Sequence, residues 1–216
     1  MPEYLATLIA ALIGAVIGSV GAVFAESWSA GRAESARRRE VLVQRYLFQL
    51  QESIEGLWFR LRNLTFEGGR YVMSEKYFQM TTLYALGRVL AIERIVGLEG
   101  IYPQLEDAYP TLGTFLRQNR VNHMLEGLGF YQYDRISLAE AVIEPVGDRL
   151  RPSTFLEFRK RYESAAVTEQ DWLAPAQEVV AGLSKDRMAE LQKALREIDL
   201  RIAEHTKMPS PLADLT

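Results

Sequence analysis

Hydrophobic and polar positions fall into two regimes along the chain. From Tyr4 to Ala25 runs YLATLIAALIGAVIGSVGAVFA, 22 residues without a charge, bounded by Glu3 and Glu26. As a helix rising ~1.5 Å per residue it reaches about 33 Å, enough for a hydrocarbon core of about 30 Å. Tyr4 stands at one edge and Trp28 just beyond the other, where amphipathic rings prefer the headgroup zone. A core helix rarely needs so long an uncharged run. Val23-Phe24-Ala25 would pass as a signal-peptide cleavage site, but Met-Pro-Glu precedes the apolar run where a positive n-region is required. The pattern predicts a retained transmembrane helix.

After residue 32 the pattern becomes amphipathic. Val43, Leu47, Leu50, Ile54, Leu57, Leu61 and Leu64 step by four and three, one apolar face of a helix over about Ala33 to Thr65. The same spacing suits a parallel coiled coil. Its e and g positions would hold Gln44, Tyr46, Gln51, Ser53, Trp58 and Arg60, not the Glu/Lys complement that sets pairing. Tyr46 and Trp58 instead widen the apolar face, which favours a helix packed in its own bundle.

Glu67-Gly-Gly-Arg70 breaks the chain, and Ser74 is a suitable N-cap for the next helix, to about Val96. That helix is apolar on most sides, as a central buried helix is. After Lys76 its only charges are Arg88, Glu93 and Arg94. Pro103 and Pro110 predict an irregular linker, with helical pattern resuming from Leu112 to Leu125 and again from Ser137. Ser137-Leu-Ala-Glu140 and Thr154-Phe-Leu-Glu157 both read as capping boxes, with Pro145 and Gly147 closing a short helix between them. A further helix begins near Thr168, or later because of Pro175. The last, Lys185 to His205, carries Met188, Leu191, Leu195, Ile198 and Ile202 on one stripe. No stretch alternates strongly enough to predict a strand. The fold class expected is therefore all-α: an N-terminal transmembrane helix followed by a cytoplasmic multi-helix bundle. The organisation expected is an anchor and juxtamembrane segment over 1–32, a helical domain over 33–207 and a loose tail over 208–216.

Charge sets the topology. Arg32, Arg37, Arg38, Arg39 and Arg45 follow the span, while only Glu3 and the α-amino group precede it. Positive flanks stay cytoplasmic. The N-terminus is therefore expected outside, and the C-terminal domain at the cytoplasmic face of a cell inner membrane. Arg32, Arg37, Arg38 and Arg39 could also meet lipid headgroups, although Glu34 and Glu40 dilute that patch. Within the span Ala6, Ala10, Gly14, Gly18 and Ala22 recur every four residues. Ala10, Gly14, Gly18 and Ala22 thus predict a shallow groove for another span, either a second copy or a partner's.

Composition narrows the chemistry. The 216 residues include no cysteine, which excludes disulfide scaffolds, thiolate metal clusters and cysteine nucleophiles. A net charge of -3 and a pI near 5.6 lack the footprint of a dedicated nucleic-acid binder. No Walker A loop, dinucleotide glycine fingerprint, GxSxG elbow or HExxH is present. His123 has Glu126 as its i+3 neighbour but no further ligand at metal-binding spacing, and His205 suits a helix C-terminus. No catalytic residue, cofactor or metal is inferred. The one polar-aromatic concentration between helices is Phe130-Tyr-Gln-Tyr-Asp-Arg135, whose Tyr131, Tyr133, Asp134 and Arg135 form a candidate interaction surface.

The N-terminal span, the Arg-rich juncture, Leu57-Trp-Phe-Arg-Leu-Arg-Asn63 and Tyr84-Ala-Leu-Gly-Arg88 together resemble a group of uncharacterised single-pass bacterial membrane proteins. That resemblance implies the architecture and no activity. Three functional readings follow. In the first, a membrane-tethered helical module binds or positions another membrane or cytoplasmic protein. In the second, the chain is an accessory or sensor subunit of a larger membrane complex. In the third, it is an enzyme with a site built around Arg88, Glu93 and Asp134.

Overall fold

A computed structural model describes residues 37, 40–65, 75–147, 149–164 and 173–215. The predicted span lies outside these residues, as do Ala10, Gly14, Gly18, Ala22, Arg32, Arg38 and Arg39; Arg37 is helical and exposed. Among the described residues no helix is long and apolar enough to cross a membrane. The chain divides into two compact units, Met1–Leu42 and Val43–Thr216, and the packing below is that of the second.

Helix α1 covers residues 40–65. Its whole predicted stripe, Val43 through Leu64, is buried, and Tyr46 and Trp58 are buried with it. The face is therefore satisfied inside the chain. Helix α2 (Glu75–Leu98) is the central element. Met80, Leu83, Leu86, Val89, Leu90, Ile92, Ile95 and Val96 are all buried, and residues at a 100° pitch with this distribution leave little polar face. Around α2 stand α3 (Ile101–Ala108), α5 (Val121–Glu126), α6 (Gln132–Ala141), α7 (Phe155–Ser164) and α8 (Ala174–Gly182). Helix α4 (Pro110–Gln118) packs on α3 and on the long α9 (Lys185–Thr206). The architecture is a helical bundle.

Close approach fixes two of these contacts. A Cβ at Gly87 would lie 2.7 Å from Val142 Cγ2 and 3.1 Å from the Leu138 carbonyl oxygen, so only glycine lets α6 reach α2 there. Gly113 does the same for α4 against Glu106 on α3, where a Cβ would meet the Glu106 backbone at 2.8 Å.

Four sequence expectations change. The linker at Pro103 and Pro110 is helical, because each proline sits in the first turn of its helix, where a missing N–H costs least. Helix α6 starts at Gln132, so Ser137 and Glu140 lie inside it and form no capping box. Residues 143–152 form a hairpin instead of a closing helix: β1 (Ile143–Val146) pairs antiparallel with β2 (Arg149–Pro152), Ile143 opposite Pro152. Every strand of a two-stranded ribbon is an edge, which tolerates Pro145 and Pro152, and Gly147 takes the left-handed φ of 64° that its turn requires.

The fourth change is the tail, which is docked. Leu212 is fully buried, and Arg196 donates to the carbonyls of Leu212 and Ala213 at 2.9 and 3.1 Å. Gln51 donates to the Pro209 carbonyl at 3.2 Å, and the Ser210 hydroxyl donates to Asp199. A buried carboxylate on α9 needs such a donor, and the tail supplies it.

The Thr154–Glu157 capping box forms as expected. The Glu157 carboxylate accepts from the Thr154 amide at 2.7 Å, and Thr154 Oγ1 accepts from the Glu157 amide at 3.3 Å. Two bonds from Arg151 join it; these and the Thr154 donors hold the Glu157 carboxyl well below the usual carboxylate range.

Leu57 and Leu86 are both fully buried. Leu57→Ala and Leu86→Ala should each destabilise the chain by ~2–5 kcal/mol in urea unfolding. A loss under ~0.5 kcal/mol for both would contradict this packing.

A candidate anion cavity between α2 and α6

The last turns of α2 carry Glu93 and Arg94 beside α6 and the segment entering α5. Between these elements lies a cavity of about 310 Å³. Its polar lining residues are Glu93, Arg94, Arg120, Asn122, Gln132 and Arg135. Leu90, Gly97, Leu98, Ile136 and Ala139 complete the lining.

Glu93 is placed by backbone donors. Its Oε1 accepts from the Val121 amide at 2.7 Å and its Oε2 from the Asn122 amide at 3.0 Å, so it satisfies the free N–H groups that begin α5. Burial pushes its carboxyl up to about 7, against the opposing pull of those two amides and of the Arg120 charge. Desolvation disfavours the charged form, and here it outweighs the bonds.

Three guanidinium groups share the cavity. Arg135 is 4% exposed; its Nε donates to Asn122 Oδ1 at 2.8 Å, Nη1 donates to the Phe130 carbonyl, and Nη2 lies 3.5 Å from Glu126. Arg94 reaches Glu140 through Nη2 at 2.5 Å, while its Nε is buried without a hydrogen-bond partner. Arg120 lies over the Tyr102 ring at 4.4 Å, and its Nε is likewise buried and unpaired. A cation on an aromatic face is stabilised by the ring's quadrupole. Burial, followed by the nearby Glu93 charge, pushes the Tyr102 phenol up to about 12. The lining thus holds three cationic side chains against one carboxylate.

The predicted site residues separate. Tyr131 and Tyr133 are 78% and 79% exposed. Asp134 is half-buried. Arg135 leaves the expected surface: the helix begins at Gln132, which turns this side chain inward onto the Phe130 carbonyl and Asn122. Arg88, Glu93 and Asp134 are not brought together either. Arg88 pairs with Glu52 on α1 at 2.7 Å, and of the three only Glu93 lines the cavity. His123 is exposed, and no group of three or more His, Cys, Asp or Glu side chains among the described residues is placed to hold a metal ion. Sequence reading missed Arg120 and Asn122. The available signal was the pair Glu93-Arg94 in an otherwise apolar stretch, which required polar partners from another element.

Comparison of the chain with protein-family models, with curated proteins and with solved structures finds no match.

Because the folded-state carboxyl of Glu93 lies above its ordinary 4.5, its stabilising contribution is complete below about pH 4.5 and is lost as pH rises through about 7. Glu93→Gln, which cannot ionise, should flatten this dependence. Between about pH 5 and pH 8 the wild type should lose ~1–3 kcal/mol more stability than the variant in urea unfolding. Parallel losses would contradict the assignment.

Proposed function

We propose that the chain is a membrane-tethered helical module that binds or positions another protein at the cytoplasmic face. The observation carrying this reading is the exposed pair Tyr131 and Tyr133 at the start of α6. Large aromatic rings gain more than most side chains from being covered, and Tyr is enriched at the centres of protein interfaces. The tether rests on the uncharged run from Tyr4 to Ala25 and the arginines that follow it. The row of small residues from Ala10 to Ala22 favours a second reading, an accessory subunit that meets its partner's span within the bilayer.

A photo-crosslinking residue placed at 131 or 133 of the full chain in cells should give one discrete protein adduct in the membrane fraction. The same residue at exposed Lys193 on α9 should not. Equal labelling from all three positions, or none from 131 and 133, would contradict the tyrosine surface. A chain released from membranes by alkaline carbonate would contradict the anchor.

A further inference from the structure

We propose that the cavity between α2 and α6 binds a small organic anion, its oxyanion head facing Arg94, Arg120 and Arg135 and its apolar body lying along Leu90, Leu98 and Ile136. This site does not rest on the tyrosine surface and would stand if that surface failed.

Four observations converge on it. The volume of about 310 Å³ is at the lower end of the range that small-molecule sites occupy. The lining combines charged and polar side chains with aliphatic ones. That combination fits a ligand with a charged head and a hydrocarbon body better than a bare inorganic ion. Leu98, at 59% exposed, gives the body an apolar surface that the fold itself leaves uncovered.

The third observation is charge. Three arginines line the cavity with Glu93 as the one acidic residue in its lining, and the two acids that pair with Arg135 and Arg94, Glu126 and Glu140, are themselves largely exposed. A planar guanidinium presents its N–H groups as a fork matched to carboxylate or phosphate oxygens. The fourth is the unmet donors. The Nε groups of Arg94 and Arg120 are both buried without an acceptor, and a buried unpaired donor is costly enough that native structures rarely keep one. Each of these two side chains therefore has donor capacity that the protein leaves unused. Arg135 differs, because its Nε and Nη1 are already bonded to Asn122 and Phe130. It contributes charge and holds the wall in place.

The test uses the full chain in mild detergent, titrated calorimetrically with benzoate, with phenyl phosphate and with the neutral benzyl alcohol. At least one anion should bind saturably and the alcohol should not; the tighter anion tells carboxylate from phosphate as the preferred head. Arg94→Gln and Arg120→Gln should each weaken that binding about tenfold or more, the worth of a hydrogen bond to a charged group. Both side chains are partly exposed, and circular dichroism checks that the variants remain folded. Glu93→Gln removes the opposing charge and, at about pH 8, should tighten benzoate several-fold. The proposal is overturned if neither anion saturates, if the alcohol binds as well as the anions, or if folded arginine variants bind undiminished. Loss of benzoate binding in folded Glu93→Gln would also overturn it, since removing a negative charge beside a bound anion cannot weaken it electrostatically.

Discussion

A helix buried on nearly every side can keep a polar group only if another element brings that group a partner, and α2 imposes this constraint on the rest of the fold. Thr82 on its buried face receives a bond from Arg60 of α1 at 3.0 Å. Arg88 finds Glu52 on α1, and Arg94 finds Glu140 on α6. Glu93 takes the two amides that open α5. At the C-terminal end Glu99 accepts from the Tyr46 hydroxyl of α1 and from the Leu150 amide of β2, at 3.0 Å in the latter. Apolar burial supplies most of the stabilisation, at roughly 25 cal/mol per Å². The polar partners fix which element lies against which face.

The cavity follows from the same constraint. Glu93 and Arg94 are adjacent, so their side chains diverge by about 100° around the helix and draw partners from two different elements. Glu93 fixes the segment entering α5, while Arg94 fixes α6 through Glu140. Arg135 then bridges those elements by reaching Asn122 and Phe130. The space among them is lined by Arg94, Arg120 and Arg135. Tyr131 and Tyr133 remain outside that network, one on each side of Gln132, which itself lines the cavity.

Much of the bundle was legible in the sequence, and the reasons it was not entirely so are local. The stripe from Val43 to Leu64 and that from Met188 to Ile202 are long enough for a helical period to dominate, and both are buried. The hairpin is not long enough: two four-residue strands, each containing a proline, give period-two alternation no room. The docked tail was hidden because Asp199 looks like an ordinary surface acid on α9, although it is fully buried. Its partner Ser210 lies beyond the helix end and carries no periodic signal. Arg135 failed for the opposite reason. An arginine beside exposed tyrosines reads as surface, and only the start of α6 at Gln132 decides that it turns inward. The cavity joins α2, α5 and α6 across more than forty residues of sequence, a juxtaposition that local spacing does not encode.

The central claim is that α2 organises the bundle, and amide hydrogen exchange on the full chain in detergent tests it most directly. Native proteins open in cooperative parts, and the amides that require global unfolding exchange slowest. The amides from Leu83 to Ile95 should form the slowest group, exchanging at the rate set by global stability, with the short helices α4 and α5 faster by at least tenfold. Exchange of that segment as fast as α4 or α5, with α1 or α9 protected instead, would contradict the account.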